Sequence, residues 1–169
     1  MTPLPRDDHH QQASIAEACS DDAEVLALSV LRFVAAGYMT GDIACWEAAH
    51  DGAERLLGAI EGADLVAAMT RLMRAIRAER HGEWRFMPAT CCRVTADEAR
   101  IVGLLALARR DSTGLPALRS AAAAAIGSEA APRLAAAARA AADLLDSVQP
   151  MLRATATEPP RRAPAPGLH

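Results

Sequence analysis

Four side chains give this chain its clearest capacity for chemistry: His50, His81 and the adjacent pair Cys91 and Cys92. Two imidazoles and two thiols are the nitrogen and sulfur ligands that zinc accepts, so a zinc-like metal is one cofactor to look for. Their spacing matches neither C-x-x-C nor H-x-x-x-H, and neighbouring side chains of an extended segment point to opposite sides. A disulfide between neighbours has to reconcile a trans Cα separation of about 3.8 Å with a cystine separation of at least about 4.4 Å. The first reading is therefore one cysteine in the core, the other at the start of the next helix, and no cofactor. The alternative is a thiol- or metal-responsive sensor, its thiolate favoured by Arg93 and a helix N-terminus a few residues on.

A second group consists of arginines. Arg71, Arg74, Arg77 and Arg80 recur every third residue, and Arg85 follows between Trp84 and Phe86. Steps of three turn about 300° on a helix, so these guanidinium groups sweep round it rather than forming one line. A solvated face that meets an acidic surface is the expected use, and with Trp84 and Phe86 these are the candidate interaction residues.

His50 supports one further idea. Ala49-His50 followed by Leu57-Gly58-Ala59 resembles the motif of phosphorelay transfer domains, which are helical and present a phosphorylatable histidine. The resemblance implies histidine phosphotransfer through His50. The chain departs from that motif in having no lysine after the histidine and a shifted glycine. His50 also falls on the seam Ile43, Trp46, His50, Ala53, Leu57, Ile60, whose steps of 3 and 4 predict a buried core histidine.

These residues have to be positioned by helices. The apolar content is mainly alanine and leucine, and aromatics make up only 3% of the chain, which favours closely approaching helices over a sheet. Ser20 with Asp21, Asp22 and Glu24 starts a first long helix that is apolar on most sides and stops at Gly37. Asp42 caps a second, and Gly62 and Asp64 mark the boundary to a third with the seam Leu65, Met69, Leu72, Ile76. Thr95-Ala96-Asp97-Glu98 is a capping box for a fourth, in which Gly103 predicts a close helix crossing. Ala117 to Ile126 makes a short helix, and the last runs from Ser128 to Pro150. Ser14 to Cys19 adds a helical turn.

Trp84–Val94 is the one long interruption, predicted to pack Trp84, Phe86 and Met87 between its flanking helices. The fold class is thus all-α, a single helical bundle of five to six helices over residues 13–150. Residues 1–12 form a disordered arm and residues 151–169 a disordered Pro/Arg-rich tail.

All 18 basic residues are arginines, and neither lysine nor asparagine occurs, a bias that fits GC-rich, bacterial-like coding. Residues 1–64 hold 12 acids against 3 arginines, whereas residues 65–169 hold 15 arginines against 9 acids. Oppositely charged halves can pair within a monomer or between subunits, which points to a protein partner or self-association as a homodimer. The start has no basic-then-apolar order of a signal peptide, and no run of 18 apolar residues escapes a charge. The expectation is cytoplasmic, with reduced thiols and no membrane.

Nucleic acid is disfavoured: if Thr95–Arg110 and Leu115–Ala125 formed a helix-turn-helix, the second helix would offer only Arg119 to bases or phosphates. No phosphate loop, nucleophile elbow or H-E-x-x-H is present, so nothing supports an enzyme. The leading functional expectation is a non-catalytic regulatory or protein-interaction protein.

Overall fold

A computed structural model describes residues 13–110 and 114–157; the expected arm at 1–12 and the tail beyond Thr157 lie outside the described residues. The described chain is all-helical, with seven helices: α1 (Ile15–Ala18), α2 (Asp22–Thr40), α3 (Ile43–Leu57), α4 (Ala59–Glu79), α5 (Ala96–Ala108), α6 (Leu115–Ile126) and α7 (Pro132–Thr157). The seventh, beyond the expected five to six, is α1. Its Ser14 and Glu17 form a capping box that closes the predicted turn into a short helix.

α2, α3, α4 and α7 pack against one another, with α5 and α6 packed on α7 and on each other. One core runs through α2 to α7, and Leu31, Leu65, Met69, Leu72, Ile76, Leu105, Leu118, Leu134 and Leu145 are all buried in it. The predicted seam of α4 is therefore the observed one. Alanines on α7 at 135, 138, 141 and 142 are also fully buried, which lets neighbouring helix axes approach closely. A smaller cluster of Leu28, Val94 and Val102 joins α2 to the segment before α5. By length and hydropathy α2 could cross a membrane, but 61% of that window is buried inside the fold.

Two predicted boundaries move, and both movements have one cause. Gly37 does not end α2: a Cβ there would lie 2.5 Å from the Trp46 indole nitrogen, so this glycine makes room for an aromatic ring from α3. Gly41, with φ 71°, terminates the helix instead. Likewise Gly62 sits inside α4, where a Cβ would come within 2.6 Å of the Glu54 backbone, and the break falls at Gly58, φ 89°. These glycines are crossing points, and the left-handed glycines are the stops.

Other expectations are corrected in detail. Asp21, not Ser20, caps α2 by accepting from the Glu24 amide, while Ser20 donates its own amide to the Glu24 carboxylate. Gly103 meets nothing within 4 Å and opens a cleft of about 400 Å³ between α5 and α6, in place of the predicted close crossing. The last helix passes through Pro150 to Thr157, and the burial of Leu152 beyond the proline supplies the packing that offsets a lost backbone bond.

Candidate functional site

The loop between α4 and α5 is held by a buried ion pair. Arg32, the lone cation on α2, donates from Nε to Glu98 Oε1 at 2.7 Å and from Nη2 to Glu98 Oε2 at 3.0 Å. The rest of its fork goes to backbone: Nη1 donates to the Cys91 carbonyl and Nη2 to the Arg93 carbonyl. Glu98 in turn accepts the amides of Met87 and Thr95, so four residues of the loop and its exit converge on two side chains. An unpaired charge at this depth would cost several kcal/mol, roughly 3–5 on breaking such a pair, which is why both Glu98 oxygens and all three Arg32 nitrogens have partners.

Beside this pair the loop is pinned twice more. Arg85 donates its amide to Asp97 and accepts from the Thr95 hydroxyl, while the Glu98 amide completes the predicted capping box. From the other side, Ile15 donates to the Cys92 carbonyl and Val94 to the Ala13 carbonyl, forming an isolated antiparallel bridge between Ser14 and Arg93. Trp84 and Phe86, with ring centroids 5.9 Å apart, pack against the core and meet α2 and α4 at one pocket, rather than lying with Met87 between α4 and α5.

The result is a small pocket of about 190 Å³ walled by Tyr38, Met39, Met73, Trp84 and Phe86, with Arg77 and Arg80 at its edge. The Arg77 guanidinium lies 4.6 Å from the Tyr38 ring centroid, in cation–π contact, and Tyr38 meets Trp46 edge-on at 5.1 Å. The Trp84 indole N–H is buried without an acceptor among the described residues.

A second concavity of about 570 Å³ runs between α4 and α7. Its floor is alanine, from Ala75, Ala78, Ala136, Ala137 and Ala140, and its rim carries Arg71, Arg74 and Arg133. None of those three guanidinium groups has an acidic partner among the described residues. Arg109 is the contrasting case: it bridges Asp21, Glu24 and Asp146, tying α2 and α5 to α7. Burial opposes its charge, yet hydrogen bonds to Asp146 and Asp21 hold its pKa above the ordinary arginine value.

No family model, curated protein or solved structure matches this chain.

Its geometry alone therefore sorts the predicted residues. Arg77, Arg80, Trp84 and Phe86 come together at the pocket, Arg71 and Arg74 turn to the groove, and Arg85 is exposed with its backbone held. The histidines and cysteines are not gathered: among the described residues no group of three or more His, Cys, Asp and Glu is placed to hold a metal. His81 and Cys92 are exposed, and Cys91 is half-buried with its sulfur accepting the Arg93 amide at 3.4 Å.

His50 is not the buried core histidine that the seam predicts. Its side chain is 45% exposed and its Nδ1 lies 3.5 Å from a Glu54 carboxylate oxygen one turn on. α3 instead buries Ala49, Ala53 and Leu57, a stripe rotated away from His50, which leaves Ile43 exposed as well; Ile60, the last residue of the predicted seam, falls on α4 and is also exposed.

Arg32, Glu98, Tyr38 and Arg133 were outside the predicted set. A signal existed for the first two, since a single arginine within an apolar helix demands a buried acid. Nothing local marks Tyr38 or Arg133, whose roles arise only from packing α2 and α7 against α4.

Proposed function

We propose that this chain is a non-catalytic regulatory or interaction protein, a helical bundle that works as a homodimer. The acidic outer face of α3 in one copy seats against the arginine-rimmed groove between α4 and α7 of the other. What carries this reading is a matched pair of unsatisfied surfaces: Arg71, Arg74 and Arg133 lack acids, and Glu47 and Asp51 on α3 are exposed without basic partners among the described residues.

Charge complementarity steers and orients more than it binds, so apolar area has to be covered as well. Among the described residues, four of the six large exposed hydrophobics, Met39, Ile43, Leu56 and Ile60, lie from the end of α2 to the start of α4, around the acidic helix. The alanine floor of the groove offers a shallow apolar bed for such side chains. Because each copy carries both surfaces, reciprocal docking about a two-fold axis closes at two copies.

The test is sedimentation or light scattering over a range of concentration and salt. The expected result is twice the 17.8 kDa chain mass at low salt, loosening as salt rises. Arg71→Glu with Arg74→Glu gives monomers, and adding Glu47→Arg with Asp51→Arg restores the dimer. A monomer at low salt and high concentration, or a dimer indifferent to these reversals, overturns the proposal; the former leaves the groove to an acidic segment of another protein.

A further inference from the structure

We propose that the pocket walled by Tyr38, Trp84 and Phe86 is a binding site for a small planar carboxylate, a single aromatic ring bearing one anionic group. This is independent of the dimer, which uses the opposite arginines of α4.

Two observations converge on it. First, three of the chain's five aromatic residues, Tyr38, Trp84 and Phe86, line one pocket together with Met73, a flat and polarisable lining that suits a ring. Second, Arg77 and Arg80 stand at the same pocket and neither has an acidic partner among the described residues. Arg77 already lies over the Tyr38 ring, 4.6 Å from its centroid, a contact that holds its guanidinium beside the pocket and leaves its N–H groups without an acid among the described residues.

Size sets the ligand class. At about 190 Å³ the pocket is below the range of roughly 300–1,000 Å³ usual for drug-sized ligands, so it takes one ring and excludes nucleotides or fused cofactors. Its wall is also preformed. Phe86 sits between Arg85 and Met87, whose amides are fixed by Asp97 and Glu98, so binding need not order the loop.

The probes are benzoate and its neutral isostere benzamide, with binding followed by calorimetry and by saturation-transfer NMR on the full chain. Benzoate is expected to bind saturably, benzamide about tenfold more weakly, and Arg77→Gln with Arg80→Gln to weaken benzoate by about tenfold or more, the loss of a charge-assisted bidentate contact. Inorganic phosphate should not compete, because it lacks the ring. If the double variant loses its helical circular dichroism, the benzoate and benzamide comparison on the unaltered chain still decides. No saturable binding at concentrations up to about 10 mM, equal binding of benzamide, unchanged affinity in a folded double variant, or equal competition by phosphate each overturns the proposal.

Discussion

Arg32 and Glu98 meet across 66 residues of sequence, with their side chains 1% and 0% exposed and Nε to Oε1 at 2.7 Å. The pair organises what surrounds it more than it stabilises by itself. Two charges brought out of water recover their hydration only through complete pairing, and here the completing partners are the backbone of Met87, Cys91, Arg93 and Thr95. Losing one member should free the loop as well as destabilise the fold. Arg32→Met, which keeps length and removes charge, is expected to lower stability by about 3–5 kcal/mol because Glu98 stays buried and unpaired. The double change with Glu98→Gln should recover part of that. Urea melts give the cost, and amide exchange at Met87 and Arg93 should rise in the single variant; unchanged exchange there would disprove the organising role.

The glycines of the helices should respond with opposite signs. Gly103 meets empty space, so Gly103→Ala removes backbone freedom from the unfolded chain at no steric cost and should stabilise by about 0.5–1 kcal/mol. Gly62→Ala drives a methyl group into the Glu54 backbone, which has no side-chain end to swing away, and should destabilise by about 1–3 kcal/mol. Thermal melts of the two variants side by side check both.

Cysteine reactivity should follow burial rather than sequence proximity. Cys92 is exposed, whereas burial together with the nearby Glu24 carboxylate pushes the Cys19 thiol up to about 11. Timed alkylation read by mass spectrometry should label Cys92 first and Cys19 last. Since the thiol of Cys19 ionises less readily in the folded state than in the unfolded one, its contribution to stability is intact below the unfolded value near 9. That contribution is lost as pH climbs toward 11. Cys19→Ala should flatten the alkaline limb of a stability profile; an identical limb would show that other groups govern it.

The helices were largely legible because their punctuation is chemical. Asp42, Thr95 and Glu98 cap as their residue types dictate, and the seam of Leu65, Met69, Leu72 and Ile76 follows from helical period alone. Misread positions involve a choice that only a second helix makes. A glycine can stop a helix or admit a neighbour, and Gly37 and Gly62 became crossings because Trp46 and Glu54 arrive from α3. The same holds for His50: a helix of alanines offers several seams of comparable period, and packing against α2 and α4 selected the one through Ala49 and Ala53. At the candidate site, Trp84, Phe86 and the arginines stood out by rarity and spacing. Tyr38 joins them from about 40 residues earlier, a relation no local pattern encodes.

Glu79, at the last turn of α4, accepts the backbone amides of Arg133 and Leu134, each at 2.9 Å, and so caps α7 from another helix. α7 is the last helix among the described residues, and its first turn borrows its cap from a residue made more than fifty positions earlier. During synthesis α2, α3 and α4 leave the ribosome with the α7 side of their core uncovered, and they wait through α5 and α6 before the closing helix arrives. A chain released early, before residue 132, would keep Glu79 and lose what it caps. Completion of this core therefore waits on the segment from residue 132 onward.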